Sequence, residues 1–336
     1  MDSQAPYHTD CSACGTDGFI IRQYNTAPDG GLRALLIMDE RTEGWIGIPH
    51  GGFGMGAIME LLSLSPSFPD DPARVFPISA DFRMGGAQVV VGDTVRLAVS
   101  AADGAGTGVI EKEGQPYPYI SGEITCKKDD PAGRETLSSY LPANFADIAD
   151  RLLALPYYMK CFVCGVGRDE PGLRRQFRLV DGPGDRLVVS LIGFDPADKD
   201  TVCRFHRRKN LHPICLLALG DETMGWGAFF LSQNGGVSVR LSYTFYREIG
   251  IDERVVVFGR GERVKGDIAK RMMFWASGGA AVVKPDGTFE IVMTSSGQWL
   301  AIPALTEQMR QNLIPAELTR EAFSIAQGRP AAPRPT

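Results

Sequence analysis

Apolar runs along the chain alternate with turn clusters in an order that occurs twice. Residues 18–24 and 32–38 are rich in branched and aromatic side chains, with a Pro-Asp-Gly-Gly turn between them, which predicts two paired strands. Residues 50–64 are apolar for about four turns and stop at Ser65-Pro66, too long for an ordinary strand, so they predict a buried helix. The glycines in it weaken any intrinsic helix, so tight packing must hold it. Short runs at 75–82, 88–91, 94–101, 108–113 and 119–127, separated by Gly, Asp and Pro, predict further strands. Residues 128–154 turn polar and then helical.

The second half repeats the order. Residues 172–180 and 186–192 predict strands, 212–230 a long central helix, and 237–247, 253–259, 264–277, 279–283 and 288–297 strands again. Asp286-Gly287 is a hairpin turn signal. A helix that is apolar all round needs a surface that wraps it, and a curled antiparallel sheet supplies one. Two such units side by side join their sheets and remove two exposed edges. The expected class is α+β. The expected domains are 1–135, a connector 136–158, 159–327, and a disordered Pro/Ala-rich tail 328–336.

Short motifs mark the repeat. Cys11-Ser-Ala-Cys14-Gly15 opens one half and Cys161-Phe-Val-Cys164-Gly165 the other. Each is followed by a His at a helix start, His50-Gly51-Gly52 through Met59-Glu60, and His212-Pro213 through Asp221-Glu222. The copies have diverged in complementary places. The first has the glycines but Met59 where the second has Asp221. The second has the acid but Pro213 where the first has Gly51. A helix start offers free N–H groups and a dipole favourable to negative charge. Gly51 and Gly52 let a ligand approach that backbone, whereas Pro213 has no N–H. The acid position lies nine residues after His in each copy, about 13 to 14 Å along a helix, too far to serve its own helix start.

These motifs, with Pro171-Gly-Leu173 and Asp221-Glu-Thr-Met-Gly-Trp226, resemble the hotdog fold, and within it the acyl-CoA thioesterase family with a His-Gly-Gly…Asp/Glu helix. The resemblance covers most of both halves and implies a tandem, or double, hotdog that mimics a dimer. It implies a site between halves that pairs one helix start with the acid of the other. Here that gives Gly51 with Asp221, and a dead counterpart of Pro213 with Met59. Gly51 would polarise the thioester carbonyl, and Asp221 would orient or activate water or attack directly. His50 is a capping residue in this reading, and Glu222 and Glu60 are substitute acids should the repeats align one residue off. Met224 and Trp226 are expected in the core. Some family members carry a side-chain amide shortly before His-Gly-Gly; residues 43–49 contain none.

The implied function is hydrolysis of acyl-CoA or acyl-carrier thioesters, with CoA entering as part of the substrate and no metal or redox cofactor required. The alternatives are a non-catalytic acyl-thioester or hydrophobic-ligand binder, and a hotdog hydratase or lyase. Arg204, Arg207, Arg208 and Lys209 form a basic cluster that would hold CoA phosphates or simply be solvated. Cys11, Cys14, Cys161 and Cys164 would close one tetrahedral zinc site if the two pairs met. The alternative, which the resemblance favours, is two buried turns. Arg174 and Arg175 are expected on a solvent-facing strand.

Composition narrows the classes. The 336 residues suit two domains, and 44% hydrophobic with 22% charged residues is ordinary for a globular chain. A net charge of −5 gives no general attraction to nucleic acid. No secretory pattern opens the sequence, no apolar stretch is read as membrane-spanning, and the expected location is cytoplasmic. Seven cysteines, an odd number, fit reduced thiols better than a disulfide framework. The expected partner besides substrate is a second copy, giving a homodimer of pseudo-dimers.

Overall fold

The structure is a computed structural model that describes residues 7–69, 76–126, 131–142, 145, 152–182, 185–195, 201 and 204–328. The expected disordered tail lies outside the described residues apart from Gly328. The first half contains strands β1 (Tyr24–Thr26) and β2 (Leu32–Ile37), helix α1 (Gly51–Ser63), then β3 (Ile78–Met84), β4 (Thr94–Ala102), β5 (Ala105–Glu111) and β6 (Ile120–Cys126). Helix α2 (Pro131–Ser138) and the short β7 (Leu153–Ala154) lead into the second half. That half holds β8 (Phe177–Gly182), β9 (Asp185–Ile192), helix α3 (Pro213–Ser232), β10 (Gly236–Phe245), β11 (Val255–Asp267), β12 (Arg271–Val283) and β13 (Phe289–Ala301). Helices α4 (Pro303–Asn312) and α5 (Ala316–Ala326) follow.

All these strands join one 13-stranded antiparallel sheet in the order β1-β2-β4-β5-β6-β3-β10-β13-β12-β11-β9-β8-β7. The order reads alike outward from the β3–β10 seam, where Ile78 pairs with Phe245 and Arg83 with Arg240. The two halves are therefore related by a pseudo-two-fold axis, and each sheet half curls round its own helix. This is the double-hotdog architecture.

The alternation that makes β2 a strand is visible in its burial: Leu32, Ala34 and Leu36 face inward, and Arg33, Leu35 and Ile37 face out. Helix α1 has no polar face, and Phe53, Met55, Ala57, Ile58, Leu61 and Leu62 are all buried. Its glycines let the two central helices touch. A Cβ on Gly52 would lie 2.4 Å from that of Ala218, and one on Gly56 would lie 2.8 Å from Ile214 Cβ. Gly52 is thus a packing residue, which corrects the reading of it as a place for ligand approach.

Other expectations change. The first strand begins at Tyr24, because residues 11–21 fold back on themselves, with Gly15 N–H donating to the Ile21 carbonyl. Residues 88–91 form no strand; the Val91 amide donates to Gly47 and the Val90 amide to Asp93. No break occurs near residue 261, since β11 absorbs the irregularity as a bulge between Gly261 and Arg263 and turns later, before Arg271. Arg175 is buried rather than solvent-facing, and its guanidinium donates to the Leu173 and Leu191 carbonyls and to Thr201 Oγ1. Helix α3, at 20 residues, is long and apolar enough to cross a membrane, contrary to the reading of the sequence, but 83% of its apolar window is buried inside the fold. A satellite core of Leu137, Leu141, Phe145 and Leu152 packs on the side of the second sheet half away from α3.

Candidate active site

Each central helix begins with a His that caps it. His50 Nδ1 accepts the Gly52 N–H at 2.9 Å, and His212 Nδ1 accepts the Ile214 N–H at 3.2 Å. This side-chain cap satisfies one of the free amides of the first turn. It also fixes the tautomer, since a nitrogen that accepts carries no proton. The other ring nitrogen, Nε2, turns toward the acid of the opposite helix. His212 Nε2 donates to Glu60 Oε2 at 2.8 Å. His50 Nε2 lies 3.7 Å from Glu222 Oε2, too long for a hydrogen bond.

The two acids that align in the repeat are thus Glu60, hydrogen-bonded to its cap, and Glu222, which faces its own. Asp221 aligns with Met59. It is the extra carboxylate, and it stands at the start of α1: its Oδ2 is 3.5 Å from where a Gly51 Cβ would be. Among the described residues the Asp221 carboxylate accepts no hydrogen bond. Nor does the Gly51 N–H have an acceptor among them, whereas the Gly52 N–H is taken by His50. The two sites therefore differ in donors as well as acids. On the α3 side, Pro213 has no N–H and the Ile214 N–H is taken, so nothing corresponds to the free Gly51 amide.

A cavity of about 520 Å³ opens over Gly51 and Asp221. His50, Tyr119 and Glu222 line it beside Gly51 and Asp221, together with the apolar Met84, and Trp226, Phe229, Phe274 and Trp299 supply an aromatic lining. Leu305, Gln308 and Met309 of α4 form another wall. The pseudo-symmetric cavity, over Pro213 and Met59, is only about 130 Å³, and Arg207, Leu216 and Phe245 crowd it.

Electrostatics sharpen the contrast. Burial pushes the Asp221 carboxyl up to about 6, with the Glu222 charge adding to the rise and His50 opposing it. At neutral pH Asp221 is ionised but weakly solvated, as suits a base or nucleophile. Burial opposes a charge on His50, but Glu222, Cys161 and Asp221 outweigh it and raise its pKa to about 9. The cap pulls the other way, because the charging proton must enter at Nδ1, which already accepts the Gly52 N–H. The cap geometry decides the form present in this structure, the neutral ring protonated on Nε2. For Glu60, burial is outweighed by His212, Arg207 and His8, which hold its carboxyl well below the usual carboxylate range. Burial and the Asp221 charge push the Tyr119 phenol up, and its O–H donates to the Pro49 carbonyl at 3.1 Å.

Of the residues picked out in the sequence, the structure brings Gly51, Asp221, His50 and Glu222 to one cavity and puts Glu60 at the other. The basic cluster does not border the larger cavity. Arg207 and Arg208 line the smaller one, where Arg207 donates to Ser63 Oγ at 3.1 Å, and neither Arg204 nor Lys209 lines either. As phosphate contacts for a thioester held over Asp221 these four residues are misplaced. The four cysteines do not converge on one ion either. Cys11 and Cys14 gather with Glu60, and Cys161 gathers with His50 and Glu222. No disulfide joins the described cysteines. Met224 and Trp226 are both in the core as expected, and Trp226, 7% exposed, also lines the cavity. The sequence reading missed Trp45, whose indole N–H donates to Gln308 Oε1 at 3.0 Å at the cavity. Gln308 brings a side-chain amide to the cavity from a helix far from residues 43–49. The signal for α4 was a Pro-initiated polar segment with apolar residues at Leu305 and Met309, four apart.

No protein-family model and no curated protein sequence matches the chain. Solved structures do. A putative thioesterase II from Thermobifida fusca YX superposes with a TM-score of 0.51 at 10% identity, covering 83% of this chain and 95% of that one. A putative thioesterase from Novosphingobium aromaticivorans gives 0.48 at 12% identity, covering 84% of this chain and 98% of that one. The dehydratase domain of the polyketide PpsC from Mycobacterium tuberculosis gives 0.47 at 12% identity, covering 84% and 97%. At such identities the similarity speaks to fold. The chain has the double-hotdog fold, which it shares with the putative thioesterase II.

Proposed function

We propose that the chain hydrolyses acyl thioesters, of CoA or of a carrier, at one composite site between its halves. The observation that carries this reading is the meeting of the Asp221 carboxylate with the helix-start amide of Gly51, neither hydrogen-bonded among the described residues, in a largely apolar cavity. The acyl group lies along the Trp226–Phe274–Trp299 lining. The thioester carbonyl oxygen points at the Gly51 N–H, where the α1 dipole favours the charge that develops on it. Asp221 takes a proton from water as the water oxygen bonds to the carbonyl carbon. The C–S bond then breaks, and the departing thiolate takes up a proton. Attack by Asp221 itself, through a mixed anhydride that water then opens, uses the same geometry.

His50 acts here by holding the α1 start, not by moving protons. Both its ring nitrogens are engaged, one by the Gly52 amide and one facing Glu222. That arrangement gives no support to a hydratase in which a histidine works on the substrate. Glu222 orients His50, and Glu60 serves the opposite cap. The test is steady-state thiol release across short, long and aromatic acyl-CoAs. Turnover of one acyl class is the expected result. Saturable binding with no thiol release would replace the hydrolase by an acyl-thioester binder.

A further inference from the structure

Toward the end of α1 opposite Gly51, three potential metal ligands meet. Cys11 Sγ, Cys14 Sγ and a Glu60 carboxylate oxygen lie within 4.8 Å of one another. Cys11 Sγ is 3.4 Å from Glu60 Oε1, whereas His8 Nε2, 4.0 Å from that oxygen, stands outside the group and is hydrogen-bonded to Ser63 Oγ at 2.8 Å. With zinc–sulfur bonds of about 2.3 Å and zinc–oxygen bonds of about 2.1 Å, a tetrahedral ion sets its S···O edge at about 3.6 Å. We propose that Cys11, Cys14 and Glu60 hold one zinc ion, its fourth position filled by water or, after a side-chain rotation, by His8.

Three features support it. Cys11 and Cys14 sit on a Cys-x-x-Cys-Gly turn in which the Ala13 amide points at Cys11 Sγ at 3.4 Å, the N–H···S contact that stabilises a thiolate. The carboxylate is held as a ligand is usually held: Glu60 Oε1 faces the sulfur, while Oε2 accepts the proton that His212 must carry on Nε2. The charges also balance. One zinc ion, two thiolates and one carboxylate sum to about −1, and the Arg207 guanidinium stands 4.0 Å from Glu60 to offset it.

The matching cluster in the second half does not qualify. His50 and His212 are excluded as ligands, because Nδ1 of each accepts an amide, so Nε2 keeps its proton. That leaves Cys161 and Glu222 without a third donor in the group, since Cys164 does not join it. The first half keeps three donors in its group, Cys11, Cys14 and Glu60. Two sulfurs and one carboxylate suit zinc better than a hard cation.

The experiment measures metal by mass spectrometry on the full chain as purified, then titrates the metal-stripped chain with cobalt(II). The expected result is one equivalent of zinc, and cobalt absorption with a thiolate charge-transfer band saturating at one equivalent. Cys11→Ser and Cys14→Ser lose both, and Cys161→Ser keeps both. A wild-type chain with no zinc and no cobalt–thiolate band overturns the site, and that arm does not depend on any variant folding. Metal that survives both first-half substitutions, or that is lost with Cys161→Ser, overturns it equally.

Discussion

Asp221 of the second central helix faces Gly51 at the start of the first, with its Oδ2 3.5 Å from the position of a Gly51 Cβ. A helix of standard rise forbids such a meeting within one half. It requires two helices crossing closely, which the Gly52–Ala218 contact permits. Divergence of the repeat then left a carboxylate and an open amide on one side, and a methionine and a proline on the other.

Gly51→Pro isolates the amide. Proline is well tolerated at the first helical position, and the chain already carries it there in α3 at Pro213. The fold and Tm should hold, while kcat falls on the order of 10²- to 10³-fold, the usual loss for one oxyanion donor. Gly51→Ala keeps the amide, and its methyl makes only ordinary contact with Asp221, so its loss should be much smaller. Equal losses in both variants would point to steric blockage instead.

The raised pKa of Asp221 makes a pH prediction. Activity should fall as pH drops through about 6, where the carboxyl takes its proton, and level off above it. Stability runs the other way. A carboxyl whose folded pKa exceeds its ordinary 3.8 disfavours the folded state increasingly as pH rises from 3.8 to about 6, and by a constant amount beyond. Asp221→Asn should therefore be more stable than the wild type above pH 6, by about 3 kcal/mol, and no more stable near pH 4. Urea unfolding at the two pH values checks this.

Glu60 has the opposite sign. Its carboxyl is held low in the folded state, so its contribution is present above the ordinary carboxylate range and is lost as pH falls through and below it. Glu60→Ala leaves the buried His212 Nε2 proton without its acceptor and should cost about 1 to 3 kcal/mol. Chemical denaturation at neutral pH would detect a loss of that size.

Met59→Asp restores the missing acid of the second site but not its donor. Pro213 still lacks an N–H, Arg207 and Phe245 still crowd the smaller cavity, and the new carboxylate adjoins Glu60. In an Asp221→Asn background it should restore no thiol release, a result an activity assay on the double variant checks directly.

Much of this was legible in the sequence. The spacing of His and acid, set against helix rise, was enough to pair Gly51 with Asp221 across the halves. The neighbouring acid was harder. Asp221 and Glu222 are adjacent, yet one helix step turns Glu222 to the His50 cap and leaves Asp221 facing Gly51. Gly52 was misread because its reason, the Ala218 methyl on the other helix, is a contact between distant segments. The basic cluster was misplaced for a similar cause, since only the short pairing of His206–Arg207 with Asn210–Leu211 directs Arg207 toward Ser63 and Glu60. The α4 wall was invisible because that helix has no buried residues and marks itself only where Leu305 and Met309 meet the cavity.

The most direct measurement compares thiol release by the wild-type chain and by Asp221→Asn on the acyl-CoA that turns over fastest. The composite site predicts a collapse of kcat in Asp221→Asn with the acyl-CoA still bound and the fold intact. Undiminished turnover by Asp221→Asn would contradict it.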